Sequence, residues 1–530
     1  MCSSRGQREP TRNCRAEDFV PESDPRKEPH VSSNAHVPPL KAPAWATSLS
    51  RVCYGLLFIL LLVLFSFFVY RFVKLASYRW SVEYNEGYVF VVSDLLSRGH
   101  DIYHPLSEPP FVVPFYTPIF YLLSALAIKL FGLSFGAGRV ISAAAAFATG
   151  LIIFFDARRQ TSELFPPLIA MLFFFSIPVV YLWAPLMRVD ALATAFCIGG
   201  LYFVCSTRRF SVMLSCILFI LALYTKQNMI WAPFVAFLYL LLNRERKKAI
   251  HLFLGMLVLG SVILLICGAV WGTDFFRHVF LYNLNKPYGV NLLDQYARIL
   301  REQFILIALA ATWCIVSFRN RRIDVFPLYF VVTGISTLGF IKIGASINFF
   351  YEFAAACCLM IVPAICGFRS YLEKTAKTAF VPLIPLLLLI QGGLLYHRPY
   401  ENAEFIKTPQ THTDSINETI ASYLSTKESP SIAFKPEFVL FSGQEVYIDV
   451  YFFNRLATQG QWDESNFLQE IDGKLFSAII VPFDIARPEL APFKHSFFAK
   501  YFFDDNMKKA ILGNYRPIFV IGDYYIYTPK

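Results

Sequence analysis

Along most of this chain apolar residues do not alternate with polar ones. They run in long blocks separated by short basic or polar connectors, the pattern of helices that are apolar all round. The blocks lie near 52–70, 138–155, 165–184, 190–206, 210–224, 228–242, 250–271, 299–318, 325–341, 350–367 and 378–396. As a helix each crosses about 30 Å of hydrocarbon, the shorter ones with help from flanking residues. They predict an all-α polytopic membrane domain of about 11 transmembrane helices over residues 49–396. The first block is long and begins far from Met1, so it reads as a retained span and not as a cleaved signal peptide.

The connectors carry the orientation. Arg158/Arg159, Arg208/Arg209, Arg244 to Lys248, Arg319/Arg321/Arg322 and Arg369/Lys374/Lys377 occupy every second one, which places those five on the cytoplasmic side. Tyr116–Phe131 is apolar but covers only about 24 Å as a helix and follows Pro109, Pro110, Pro114 and Pro118. It reads as re-entrant or interfacial, because a span there would put all five clusters outside. Arg71, Lys74 and Arg79 follow the first block on the outer side, against the trend.

Both ends of the chain change character. Residues 1–48, rich in Pro, Ser, Arg and Glu, predict a disordered cytoplasmic tail. Residues 397–530 are more polar, with β-like runs at Phe438–Leu440, Phe476–Val481, Ile518–Ile521 and Tyr524–Tyr527, the last two flanking Gly522-Asp523 as a hairpin would. An odd number of spans leaves this stretch outside as a small extracytoplasmic α/β domain.

Composition sharpens the picture. Hydrophobic residues make up 56% and charged residues only 16%, and mean hydropathy is +0.48, so the chain is not a soluble enzyme throughout. The net charge of +10 comes mainly from the connectors and reads as membrane topology, not as a nucleic-acid footprint. None of the 11 Cys lies after Cys366, which removes a disulfide framework or thiolate zinc site from the last segment.

Candidate chemistry then falls on the predicted outer face. The first outer loop, about 71–137, carries Glu83, Glu86, Asp94 and Asp101. A carboxylate at a membrane surface can serve as a general base, and Glu86 is the first candidate, with a helix cap or solvated loop as the plain alternative. Arg188 and Asp190 sit between two strongly apolar blocks, where charges pair or line a cavity, or where Asp190 caps a helix. Lys226 in Thr225-Lys226-Gln227-Asn228 either binds phosphate or snorkels. Lys342, Asn348 and Glu352 mark another polar end, the last two one helical turn apart, with packing contacts as the competing reading. The connector 272–298, holding His278 and Lys286 among aromatics, reads as a flap or as an ordinary interfacial loop. A Gly-rich Lys-Ser/Thr phosphate loop, His-Glu-x-x-His and Gly-x-Ser-x-Gly are all missing, which argues against nucleotide hydrolysis, zinc proteolysis and serine-esterase chemistry.

Taken in order, Asn85-Glu86-Gly87-Tyr88, SRGHDIYHP, YTPIFYLLSALAIKLFG and GRVISAAAA resemble the opening of the GT-C membrane glycosyltransferases, among them the bacterial relatives of protein O-mannosyltransferases and lipid A aminoarabinose transferase. MRVDALATAF, LALYTKQNMIWAPF and KIGASINFFYEFAAA continue the resemblance, and VIGDYYIYTPK is similar to the family's tail. It covers about residues 80–370 well and the C-terminal segment loosely.

The resemblance implies an inverting transferase of the cytoplasmic membrane that moves a hexosyl or pentosyl group from a polyprenyl-phosphate donor to a glycan, lipid or protein acceptor on its outer face. It casts Glu86 as catalytic base and Asp190 as a second catalytic carboxylate, with Glu83 as a substitute base. Arg188, Lys226, Lys286 and Lys342 become cations for the leaving phosphate, and the connector with His278 and Lys286 becomes a loop covering the donor. Asn348 and Glu352 join the substrate site. Asn-Glu replaces the paired acids of many relatives, so no metal or other cofactor is assigned and a divalent cation stays open. The alternatives are a transporter or lipid flippase, with Arg188, Asp190 and Lys226 lining its path, and a non-catalytic scaffold.

Overall fold

The computed structural model of the protein describes residues 42–284, 292–321, 323–341, 346–407 and 410–530. Of the tail expected over 1–48, residues 1–41 lie outside the described residues, as do Lys286 and Lys342.

The first half of the chain is helical: α1 (Ala44–Ala76), α2 (Tyr84–Ser97), α3 (Ile119–Phe131), α4 (Phe135–Arg158), α5 (Phe165–Ser176), α6 (Pro178–Trp183), α7 (Val189–Val204), α8 (Ser211–Thr225), α9 (Trp231–Leu242) and α10 (Arg246–Val279). Then come α11 (Leu292–Glu302), α12 (Phe304–Arg319), α13 (Val325–Ser336), α14 (Tyr351–Leu359), α15 (Ile361–Lys374) and α16 (Leu383–Lys407). Among the described residues five helical stretches are long and apolar enough to cross a membrane: Ala44–Ala76, Phe135–Arg158, Arg246–Asn283, Ile347–Lys374 and Thr378–Tyr396. Seven apolar helices are shorter. The expected blocks are therefore all helical, but several, such as the 12-residue α5 and α9, fall short of a full crossing on their own. The segment expected to be re-entrant is the 13-residue α3, packed on α2 and α4.

Packing separates faces that the uniformly apolar sequence hides. In α1, Leu57, Leu61, Leu64 and Phe68 are buried at helical spacing against α16, α5 and α4, whereas Leu56, Ile59, Leu62 and Val63 are exposed. Along α10 the exposed side includes Leu254, Leu257, Val258, Leu265, Ile266 and Val270, an apolar surface that only lipid accommodates. The chain is thus a multi-pass membrane protein. Small residues let helices approach closely: the Gly150 position on α4 faces the Phe175 ring of α5, and that of Gly200 on α7 faces Phe219 of α8. Two of the three outlying cations, Arg71 at the end of α1 and Arg79 just after it, are held by protein. Arg71 is buried with its guanidinium over the Tyr181 ring, and Arg79 pairs with Glu418 at 2.8 Å.

The last segment adds α17 (Gln410–Leu424), α18 (Pro436–Phe441), α19 (Val450–Thr458), α20 (Ser465–Asp472), α21 (Phe493–Tyr501) and α22 (Asp505–Asn514) to a four-stranded sheet. Its strands are β1 (Ser431–Ala433), β2 (Ala478–Val481), β3 (Tyr515–Ile521) and β4 (Tyr524–Pro529), in the order β1-β2-β4-β3. β1 and β2 are parallel, and β4 is antiparallel to both β2 and β3. Gly522, at φ +60°, turns β3 into β4 as the hairpin signal predicts. The expected strand at Phe438–Leu440 is instead helix α18, opened by Pro436 in its first turn and buried over Pro436–Leu440. A run apolar on all sides does not distinguish a core strand from a short core helix.

This segment and the helices form one compact unit over residues 41–530. Several contacts tie the C-terminal segment to the stretch after α1, among them the Arg79–Glu418 pair and the two that follow. Glu437 of α18 accepts hydrogen bonds from the Ser81 N–H, at 3.0 Å, and from the Ser81 hydroxyl. Phe111 and Ile448 form a parallel bridge, with the Phe111 N–H donating to the Tyr447 carbonyl at 2.7 Å and the Asp449 N–H to the Phe111 carbonyl at 2.9 Å.

Candidate active site

A cavity of about 1100 Å³ opens where the start of α2, the starts of α7 and α14, the end of α8 and the C-terminal segment meet. Each of these elements begins or ends on a polar residue that an apolar helix cannot carry in its middle, so the termini gather the charges.

Glu83 is the N-cap of α2 and lines the cavity with its side chain 24% exposed. It accepts hydrogen bonds from the Glu86 N–H at 3.2 Å, Asn85 Nδ2 at 2.9 Å and Arg188 Nη1 at 3.0 Å. Arg188, buried at the N-cap of α7, also donates to the Tyr116 hydroxyl at 3.1 Å and lies 3.8 Å from Asp190. Oδ1 of Asp190 accepts from Lys226 Nζ at 2.6 Å and from Asn348 Nδ2 at 2.8 Å, while its buried Oδ2 has no hydrogen-bond partner. Glu352 accepts from the Tyr329 hydroxyl at 2.7 Å. Glu83, Arg188, Asp190, Lys226, Asn348 and Glu352 therefore meet in one cavity, although they span almost 270 positions of the chain.

Glu86 is not among them. Its carboxylate is fully buried and every hydrogen bond it accepts is internal: from Arg139 Nε at 2.8 Å and Nη2 at 3.0 Å, the Val82 N–H at 2.9 Å and the Met187 N–H at 2.8 Å. Burial alone would raise its pKa, but Arg139 and the two backbone donors outweigh that and hold it below its ordinary value. The Glu86 carboxylate is thus closed off from the cavity, whereas that of Glu83 opens into it. Here Glu86 anchors Arg139, which also donates to the carbonyls of Leu75, Tyr78 and Trp80 and so fixes the turn from α1 to α2. Gly138, one residue earlier, makes the arrangement possible, because a Cβ there would strike Met187.

His278 lies apart as well. It is fully buried away from the cavity, its Nε2 paired with the His104 carbonyl at 2.8 Å, and its neighbours Val279, Phe280, Asn283 and Leu284 line the wall instead. Lys286 and Lys342 lie outside the described residues. Among the described residues no three His, Cys, Asp or Glu side chains gather closely enough to hold a metal ion.

Sequence reasoning missed a second wall. Tyr84, Asp449, Tyr451, Phe452, Arg455 and Phe498 also line the cavity, and all but Tyr84 come from the C-terminal segment. Asp449 caps α19 through Oδ1, which accepts from the Phe452 N–H at 3.2 Å and from the Tyr84 hydroxyl at 2.8 Å. Burial pushes its carboxyl up to about 7, against the smaller opposing effects of Tyr84, the Phe452 amide and Arg455. No local pattern marks these residues, because the Phe111–Ile448 bridge and the docking of α18 bring them here.

The arrangement provides a carboxylate with partial solvent access, Arg188 paired to it, Lys226 paired to Asp190 in the same cavity, and a wall of aromatic rings. That is equipment for deprotonating a hydroxyl beside an anionic leaving group.

A family model described as dolichyl-phosphate-mannose-protein mannosyltransferase matches residues 112–271. No curated protein matches the chain in sequence. Among solved structures, ArnT from Cupriavidus metallidurans bound to undecaprenyl phosphate is 13% identical over 91% of this chain and 97% of its own, with a TM-score of 0.53. The apo oligosaccharyltransferase of Archaeoglobus fulgidus is 10% identical over 89% of this chain and 73% of its own, with a TM-score of 0.50. The chain thus carries a match to the mannosyltransferase family model over residues 112–271 and, across most of its length, the fold of the GT-C membrane glycosyltransferases that its motifs resemble.

Proposed function

We propose that the protein is an inverting glycosyltransferase that moves a sugar from a polyprenyl-phosphate donor to an envelope acceptor on the outer face of the cytoplasmic membrane. Residues 49–396 form its membrane domain, and residues 397–530 stand outside the membrane over the cavity. The observation that carries this reading is the meeting of Glu83 with Arg188, Asp190 and Lys226 in one cavity. The undecaprenyl phosphate named for the ArnT structure supports the donor class.

In this mechanism Glu83 takes the proton from the acceptor hydroxyl as that oxygen bonds to the anomeric carbon. The bond from the anomeric carbon to the phosphate oxygen breaks, and polyprenyl phosphate leaves with the electron pair. Attack from the side opposite the leaving group inverts the anomeric centre. Arg188 and Lys226 balance the charge that grows on the phosphate, and Asp190, with Asn348, holds the Lys226 ammonium in place. Glu352, held by the Tyr329 hydroxyl, completes the wall of the site.

The test is release of undecaprenyl phosphate from undecaprenyl-phosphate hexoses and pentoses by the purified protein in lipid nanodiscs, followed by mass spectrometry. Sugar-dependent release that requires Glu83 supports the reading. Flux of an intact glycolipid across proteoliposomes without cleavage refutes it in favour of a flippase.

A further inference from the structure

The polar groups of the cavity fall into two sets, and the mechanism above uses only one. Arg188, Asp190, Lys226, Asn348 and Glu352 belong to the membrane helices. The other set is aromatic. Tyr84 and Phe498 lie 4.9 Å apart between ring centroids, Tyr451 and Phe498 5.4 Å, and Tyr84 and Tyr451 5.8 Å. Beside them stand Arg455, whose guanidinium lies 4.2 Å from the Phe452 ring centroid and whose Nε makes no hydrogen bond, and Asp449. Capping and Tyr84 occupy only Oδ1 of Asp449. Its Oδ2 is left without a partner in a side chain 1% exposed at the cavity wall.

A buried acceptor without a donor is costly unless a ligand supplies one. Beside it the half-buried rings of Tyr84, Tyr451 and Phe498 pack on one another and give the cavity an aromatic wall, a surface suited to the flat apolar face of a ligand. One class of molecule offers both at once: a pyranose ring, with C–H groups on one face and hydroxyl donors around its edge. Resting on the proposal that the protein is a glycosyltransferase, we infer that the wall of Tyr84, Asp449, Tyr451, Phe452, Arg455 and Phe498 is the acceptor subsite and that the acceptor is a saccharide. The ring lies on Tyr451 and Phe498, one hydroxyl donates to Asp449 Oδ2, and a neighbouring hydroxyl accepts from Arg455. Because Tyr84 follows Glu83 directly, a sugar held here brings a further hydroxyl towards the proposed base.

The experiment is saturation-transfer difference NMR on the full chain in nanodiscs, with the methyl glycosides of glucose, mannose and galactose as probes. A blocked serine peptide serves as the polypeptide arm. Saturation of the ring C–H protons of at least one glycoside is expected, with about tenfold weaker binding in Asp449→Asn, the effect of one lost hydrogen bond. Tyr451→Ala is expected to reduce ring saturation by a similar factor. A hexadecyl glycoside of the same sugar that binds more tightly than its methyl form assigns the saccharide to a membrane glycolipid, and equal binding assigns it to a soluble glycan. The inference is overturned if the wild-type chain saturates none of the glycosides, if neither variant weakens them, or if the peptide binds in their place. Donor cleavage, read separately as undecaprenyl phosphate release, tests the transferase proposal, so either result can fail while the other stands.

Discussion

Glu83 and Glu86 are three residues apart on one helix end, yet their environments assign them opposite consequences on mutation. Glu86→Gln replaces a carboxylate oxygen with an amide N–H₂ in a pocket where four donors converge. Whichever way the amide turns, donors face donors, and the fully buried Arg139 loses its counter-charge while keeping only carbonyl partners. Breaking a buried ion pair from one side costs about 3–5 kcal/mol, a large part of the ~5–15 kcal/mol that holds a typical domain folded. Glu83→Gln keeps an oxygen for the cap on α2 and, with its side chain 24% exposed, loses one charge-assisted bond to Arg188, about 1–2 kcal/mol. The two variants are compared by thermal unfolding in nanodiscs and by initial rate per folded molecule. We expect Glu86→Gln to unfold many degrees lower yet turn over at near the wild-type rate while folded. Glu83→Gln should melt close to wild type and lose at least about 10²-fold in rate. A stable, inactive Glu86→Gln beside an active Glu83→Gln would refute the assignment.

Three other outcomes follow from the same geometry. Lys226→Ala removes the ammonium 2.6 Å from Asp190, and is expected to lower the rate by about 10²–10³-fold and to weaken undecaprenyl phosphate retention in native mass spectrometry; unchanged retention contradicts a phosphate role. Asp449 has its carboxyl pushed up to about 7 in the fold against about 3.9 when unfolded, so its contribution to stability is fully present below about pH 4 and is lost as pH rises through 7. Melting curves between pH 5 and about 8 should therefore show a fall that Asp449→Asn lacks, and parallel curves for the two proteins would count against it. Gly138→Ala pushes Met187 away from α4, so its N–H loses register with Glu86, and a loss of roughly 1–3 kcal/mol is expected in the same melting assay.

What the sequence discloses, and what it hides, divides along a physical line. Helices in lipid must satisfy their backbone internally, so the apolar blocks and the basic connectors are local signals and read directly. Arg188, Asp190 and Lys226 were legible for the same reason, since charges at the ends of apolar helices seek one another. Which of Glu83 and Glu86 faces the cavity was not legible. That is decided by Arg139, more than 50 residues away, and by Gly138, which lets Met187 approach. His278 carried an imidazole on a promising connector, yet it points away from the cavity to the His104 carbonyl. The wall from Asp449 to Phe498 left no trace in the sequence, because a capping Asp and scattered aromatics are common on any small domain. The bridge between Phe111 and Ile448, with the docking of α18 on Ser81, turns them into one side of a site.

The pairing of α1 with α16 has a consequence for how the protein is made. Ala44 leaves the ribosome 339 residues before Leu383, so the buried stripe of α1 waits through most of synthesis for its partner. The loop that carries Glu83 waits longer still, because Ser81 is clamped by Glu437 and Arg79 by Glu418. A chain cut short by a nonsense codon or a stalled ribosome therefore holds Arg188 and Lys226 but not the finished cleft. Such a fragment should be discarded by membrane quality control without ever having consumed donor lipid. Arrested chains of increasing length, assayed for undecaprenyl phosphate release, should show none until synthesis has passed residue 498, and earlier release would show that the membrane helices suffice.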